Sequence, residues 1–321
     1  MYEINYSGRA VACTENETVL ECLLRNGIEH PHSCRNGSCQ TCMVQAVAGS
    51  VPQQASAPLK PSLREQGYFL PCICHPQDNL DIRPVAIMER LQVAVTGIKS
   101  LGRNLVQVKL QRPEGFAYRP GQFINLFRDD NISRCYSLAS HPHHEDELVL
   151  HVRRLPHGRV SGWIHDELSQ GDKIEVSGPL GDSFYVVDDQ QQPLMLIGTG
   201  TGLAPLYGII RDALHHGHTG PIHLYHGARD AADLYLGEEL QRLQAEYGHF
   251  HYVPCVSGQA SGDRYAAGRA LDVALQRHPQ LKGWRVFLCG NPEMVKLARK
   301  RAFMAGAAMQ DIYADAFTVS A

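Results

Sequence analysis

The sequence predicts a multidomain chain with three successive architectures: a cysteine-rich α+β segment, an antiparallel β-barrel, and an α/β domain on a parallel sheet. Three observations lead there. Most of the ten cysteines fall within the first 84 of 321 residues. The middle of the chain is a series of short alternating runs separated by turn residues. From Pro193 onward, strand-like and helix-like runs alternate. The expected domain limits are 1–84, 89–188 and 189–321, in line with what this length suggests.

The first segment opens with a short strand-like run. Thr18 to Arg25 then reads as a helix with Val19, Leu20, Leu23 and Leu24 on one face, and Asn26-Gly27 as its stop. Arg83-Pro84 reads as a linker. Between them, Cys34, Cys39 and Cys42 have the spacing C-x4-C-x2-C, and Cys72 follows after 29 intervening residues. This is the spacing of a plant-type [2Fe–2S] ligand set, in which four thiolates serve two tetrahedral irons. Gly37 and Ser38 keep the loop small, so that backbone N–H groups can turn toward the sulfurs. Four-cysteine zinc is the alternative, but zinc sites usually repeat a C-x2-C pair, and here the second half is Cys72-Ile73-Cys74. In an extended segment Cys74 points away from Cys72, which makes it a bystander. Cys13 and Cys22 read as small buried residues.

In the middle segment, Leu91–Val95, Leu105–Leu110, Phe123–Phe127, Leu148–Val152 and Lys173–Val176 are strand candidates, with one helical run near Val160–Leu168. Arg134-Cys135-Tyr136-Ser137 follows the run Tyr118–Phe123. A flavin site needs a cation for pyrophosphate, an aromatic for the ring and a small donor near the reactive nitrogen, and Arg134, Tyr136 and Ser137 supply all three. Arg134 and Tyr136 share one strand face and Ser137 takes the other. Alone, this tetrapeptide is more often an ordinary strand. Further on, Gly158-Arg159-Val160-Ser161 opens the helical run, where backbone N–H groups suit a phosphate.

In the last segment, Leu194–Ile197, His223–His226, Phe250–Cys255 and Val286–Cys289 read as strands. Gly198-Thr199-Gly200-Thr201-Gly202 connects the first of them to a helix over Leu203–Leu214. Such a turn lets backbone approach a pyrophosphate, although it departs from G-x-G-x-x-G. Cys289-Gly290-Asn291-Pro292 follows the last strand; by itself Cys289 reads as a buried strand end.

The formal charge of −3 argues against nonspecific nucleic-acid binding. No apolar run reaches the roughly 20 residues of a membrane span, and Met1–Ala10 is no secretory signal. A cytoplasmic protein is the expectation, with cysteines for metal or redox chemistry rather than disulfides. The stretches around His141, His143 and His144 and around His215, His216 and His218 read as solvated loops. Arg299, Lys300 and Arg301 read as the outer face of the last helix.

Taken in order, HSCRNGSCQTC, PCIC, RCYS, GRVS, GTGTGLAP and CGNPEM resemble the reductase components of bacterial multicomponent oxygenases, within the ferredoxin–NADP reductase superfamily. The resemblance covers essentially the whole chain. It implies a β-grasp ferredoxin domain ligating its cluster through Cys34, Cys39, Cys42 and Cys72. It also implies FAD rather than FMN, because the ferredoxin is N-terminal. Arg134, Tyr136 and Ser137 would hold the flavin, with His151, Val152, Gly158, Val160 and Ser161 along it and Phe317 near it. Gly198, Thr199, Gly200, Thr201, Gly202, Gly290, Asn291 and Pro292 would hold the nicotinamide nucleotide. Ser137 and Cys289 would flank the reacting centres as the catalytic pair. Arg229 and Asp230 argue opposite ways on NADPH against NADH, and the run GARDAADLYL resembles NADH users, so NADH is expected. A hydride carries two electrons and the cluster accepts one at a time, so a flavin between them is physically required. That step needs no general base, and neither Glu293 nor any histidine is assigned one. The expected partner is a protein acceptor, a diiron or Rieske oxygenase or a deoxysugar dehydrase. The alternatives are a stand-alone flavin or ferric reductase, or a cluster-based redox sensor. Residues 1–84 hold eight acidic and six basic residues, so no charged docking face stands out.

Overall fold

The computed structural model describes residues 2–30, 32, 35, 37, 42–84, 90–129, 132–259 and 264–317. The chain divides into one unit over 1–88 and a second over 89–321.

In the first unit, Thr18 starts a helix over Val19–Arg25 through a reciprocal capping box. Its hydroxyl accepts from the Glu21 amide, and the Glu21 carboxylate accepts from the Thr18 amide at 2.8 Å. The helix buries Val19, Leu20, Cys22 and Leu23. It belongs with a five-stranded mixed sheet in the order Arg9–Cys13, Tyr2–Tyr6, Leu80–Pro84, Val44–Ala48, Tyr68–Phe69. Tyr2–Tyr6 and Leu80–Pro84 run parallel, and the other pairs are antiparallel. This is the β-grasp arrangement, closed over Ile4, Leu23, Val44, Phe69 and Ile82. Arg83 and Pro84 are not a linker: they pair with Gln45 and Val44 in the sheet. Proline is tolerated there because it ends the strand.

The second unit joins two sheets. The first is antiparallel, in the order Glu147–Arg153, Leu105–Gln111, Leu91–Gly102, Lys173–Leu180, Phe123–Asp129, Ile132–Ser137. A bridge between Leu138 and Leu150 ties its two edges and closes the barrel. Val108, Leu110, Ile124, Leu126, Leu148 and Val176 fill it. The second sheet is parallel throughout, in the order Ala266–Ala267, Phe250–Val256, Ile222–Ala228, Leu194–Thr199, Arg285–Gly290, Ile312–Ala316. Its central strand is apolar on both faces, as a sheet covered on both sides requires. Leu194 and Leu196 enter one core and Met195 and Ile197 the other.

The reading of the histidine stretches as solvated loops holds only in part. His141 is 0% exposed and His218 2%, whereas His143, His144 and His215 are exposed. Arg299 and Lys300 are exposed as expected, and Arg301 pairs with Asp272. Among the described residues no helix is long and apolar enough to cross a membrane.

Candidate functional site

Of the predicted cluster ligands, Cys34 and Cys39 lie outside the described residues. Cys42 and Cys72 are buried in one apolar group with Leu20, Leu59 and Leu70, and neither forms a disulfide. Gly37 has φ +83°, and a Cβ there would come within 2.8 Å of Ile73, the neighbour of Cys72. Two buried thiols close to one another in the core, with a left-handed glycine beside Ile73, suit a thiolate-ligated cluster. Cys74 is a bystander, for a different reason than an extended strand. Pro71–Ile73 is a 3₁₀ turn, which carries Cys74 into the separate core of Ile4 and Val11. Burial pushes its thiol up to about 12.

The barrel carries a groove of about 690 Å³. Strand Ile132–Ser137 contributes Arg134, Tyr136 and Ser137 to it, and strand Glu147–Arg153 contributes His151 and Arg153. Val152 alternates to the opposite face and packs inside the barrel. At the far end Gly158 precedes the helix Arg159–Asp166, whose first turn brings Val160 and Ser161 to the groove. The Ser161 hydroxyl accepts from the Leu155 amide at 3.2 Å and so holds the rim loop in place. Burial pushes the Tyr136 phenol up and the His151 imidazole down to about 3, so both stay neutral near pH 7. Arg153 Nε is buried without a partner, although Nη1 reaches Asp233 at 3.5 Å. An orphaned cationic donor facing a groove is a fitting counterpart for a phosphate-bearing flavin.

Next to the groove lies a cleft of about 920 Å³ at the C-terminal ends of the parallel strands. It sits where the chain order reverses between Leu194–Thr199 and Arg285–Gly290, the usual place for a nucleotide. Thr199, Gly200, Thr201, Gly290 and Asn291 line it. Gly198, Gly202 and Pro292 are not in its wall; they shape it. A Cβ at Gly202 would collide with the backbone of Cys289 and Gly290, so the two motifs nest only through glycine. Pro292 is the first residue of the helix Pro292–Met304, which Asn291 caps by accepting from the amides of Glu293 and Met294. Of the opposed pair, Arg229 lines the cleft and Asp230 does not.

Cys289 departs from expectation. Its thiol is 0% exposed, sits in the core with Leu203, Phe287 and Tyr313, and lines neither cavity. Burial pushes it well above the ordinary thiol range. The residue that joins the expected catalytic pair was not foreseen. Asp315 lies opposite Cys289 in the parallel sheet, and its carboxylate accepts a 3.0 Å hydrogen bond from Ser137 Oγ, 178 residues away. Burial raises the Asp315 carboxyl, while the Ser137 bond lowers it. Arg153 was also missed, although its place two residues after His151 on one strand face is a readable signal. Four residues, Arg153, Leu155, Thr201 and Phe317, line both cavities.

Comparison with known families assigns each segment. Residues 2–77 match the 2Fe-2S iron-sulfur cluster binding domain, 92–185 the oxidoreductase FAD-binding domain, and 196–300 the oxidoreductase NAD-binding domain. The chain is 36% identical to the aromatic O-demethylase reductase subunit of Amycolatopsis sp., over 93% of each protein. It is 33% identical to the ferredoxin–NAD(P)(+) reductase component of the naphthalene 1,2-dioxygenase system of Pseudomonas putida, over 98% of this chain and 97% of that one. Among solved structures it resembles the Amycolatopsis cytochrome P450 reductase GcoB, with TM-score 0.70, 33% identity and 99% of each chain covered.

Proposed function

Because the chain belongs to the ferredoxin–NAD(P) reductase superfamily, in the branch with an N-terminal [2Fe–2S] domain, we propose that it draws electrons from NADH and delivers them to an oxygenase component. The observation that carries this reading is the common wall of the two cavities. Arg153, Leu155, Thr201 and Phe317 border both, so these residues would lie between a nucleotide in the cleft and a flavin in the groove. FAD, if bound there, would supply the conversion of one hydride into two single electrons, the form in which a [2Fe–2S] cluster can be reduced.

The residues divide the remaining work. Arg134, Arg153 and the helix start at Arg159 oppose the pyrophosphate charge, and Tyr136 offers its ring face. Ser137, fixed by Asp315, presents its hydroxyl oxygen at the flavin edge. Cys289 acts as a positioning residue: its buried thiol anchors the strand end in the core, and its backbone lies against Gly202. His151 and Tyr136 stay uncharged, so neither adds a charge to the groove. The three modules take the limits 1–84, 89–188 and 189–321. NADH preference is supported by the run Gly227–Leu236. A cytoplasmic setting is supported by the described cysteines, none of which is in a disulfide.

The test compares two acceptors in the Cys72→Ser variant. Ferricyanide, which can draw from the flavin, should be reduced at a near-normal rate with NADH. Reduction of a one-electron protein acceptor such as cytochrome c should be lost. Loss of neither rate would show that the cluster lies off the electron path. NADPH outperforming NADH would overturn the nucleotide assignment alone.

A further inference from the structure

Two histidine stretches far apart in sequence meet in the second unit, away from the groove and cleft. The loop between strands Ile132–Ser137 and Glu147–Arg153 brings His141, His143 and His144. The last turn of helix Leu203–His215 brings His215. Ring centroids lie 4.6 Å apart for His141 and His144, 4.9 Å for His141 and His215, and 5.2 Å for His144 and His215. One ring nitrogen from each of these three falls within 4.8 Å of the others. His143 stacks on His215 at 4.8 Å with 10° between planes.

The innermost imidazole is oriented as a ligand should be. His141 is fully buried, and its Nε2 lies 3.2 Å from Asp212 Oδ1. A carboxylate can only accept, so Nε2 carries the hydrogen and Nδ1 carries the lone pair. Nδ1 meets the His143 amide at 3.4 Å, a long contact that a metal can displace. A buried carboxylate that fixes the tautomer of a histidine is the usual outer partner of a metal-bound imidazole. His144 and His215 are exposed, so their rings can turn and the site is open to entry. The nearby Arg211 cation is balanced by Glu145 at 2.6 Å, which itself accepts from the His141 amide at 2.7 Å.

We propose that His141, His144 and His215 form a binding site for a borderline divalent transition metal of the Zn²⁺ class, with water completing its coordination. Three imidazoles without thiolate or ligating carboxylate suit Zn²⁺, Ni²⁺ or Cu²⁺ and disfavour Mg²⁺ or Ca²⁺. Tetrahedral Zn–N bonds of about 2.0–2.1 Å need nitrogens roughly 3.3 Å apart, so the two exposed rings close the difference by rotating. The bound ion would pin a barrel loop to the end of a helix of the α/β domain. That helix begins at the Gly198–Gly202 turn, about 20 Å away along its axis. The metal is therefore a clamp on the two halves of the redox site and takes no part in electron transfer.

The experiment is calorimetric titration of ZnCl₂ into chelator-treated full-length holoprotein without an affinity tag. Flavin and cluster absorbance, recorded throughout, should not change, which excludes cluster displacement as the source of heat. One Zn²⁺ per chain is expected, with affinity weakened at least tenfold in His144→Gln and in His215→Gln. His278→Gln, in a separate group where the His278 ring lies 4.5 Å from that of His223, should leave the affinity unchanged. Zinc binding of equal strength in the two ligand variants would overturn the site, and so would the absence of binding to the wild type. Hydrogen exchange gives a second reading: zinc should slow it in 141–146 and 211–216 together, and slowing in neither segment contradicts the clamp.

Discussion

The groove and the cleft adjoin but are built differently. The groove is walled by barrel strands and its inner wall is buried: His151 is 5% exposed, Ser137 is 7% exposed and bonded to Asp315, and Tyr136 is pushed up by burial, while Cys135, His157 and Arg159 are exposed at its rim. The cleft is walled by strand ends, glycine turns and helix starts, and apart from the shared Arg153 its cations are surface ones: Arg229, Arg269, Lys296 and Lys300. Buried, hydrogen-bonded walls are slow to open and suit a resident cofactor. Exposed cations attract a charged nucleotide without holding it permanently, because solvent and salt screen them. The difference separates the group that stays from the substrate that turns over.

The largest expected effect strikes the cleft alone. Gly202→Val drives a side chain into the Cys289 backbone and should slow NADH-dependent flavin bleaching by about 10²-fold or more, the scale for ångström misplacement. Flavin content should survive; its loss would mean that the two cavities are not separable. Arg153→Leu, on the shared wall, should damage both. FAD should dissociate on dilution with affinity reduced about 10- to 100-fold, as for a lost charge-assisted bond, and KM for NADH should rise with it. Arg229→Ala is the contrast: a smaller rise in KM that fades at high salt, with no FAD release. Ser137→Ala should lower the rate of flavin reduction about tenfold without changing nucleotide KM.

The smallest effect is on pH dependence. His151 and His226 are held neutral by burial, down to about 3 and 4, while an unfolded chain protonates them near the ordinary 6.5. Their contribution to stability is therefore present above about pH 6.5 and lost as pH falls below it. Thermal melting of the second unit should drop by on the order of 5 °C between pH 6.5 and 5.5. Asp315, raised by burial, works in the opposite sense, its contribution fading as pH rises through its folded value. A melting temperature unchanged over that interval would mean that the histidines are not held neutral.

Local pattern made much of this legible. The helix up to Arg25, the alternation along Leu105–Leu110 and the apolar run Leu194–Ile197 follow from side-chain periodicity, which neighbouring residues determine. Arg134, Tyr136, Ser137 and the glycine turns were readable because each motif is contiguous. What escaped depends on tertiary approach. The Ser137–Asp315 bond spans 178 residues, and nothing near either residue points to the other. Cys289 sits in the right motif, but its burial depends on packing with Leu203 and Tyr313. His141 lies in a polar stretch and is buried because Asp212, on a distant helix, receives it. The strand Ile132–Ser137 was visible as a motif before it was visible as an edge of the barrel.

The decisive measurement is rapid-scanning absorbance of anaerobic holoprotein mixed with one equivalent of NADH. The proposed path predicts that flavin absorbance falls first and the [2Fe–2S] bands bleach after it, with the second phase absent in Cys72→Ser. Cluster bands that stay oxidised beside a fully reduced flavin, or that bleach before it, would contradict the route from nicotinamide through flavin to cluster.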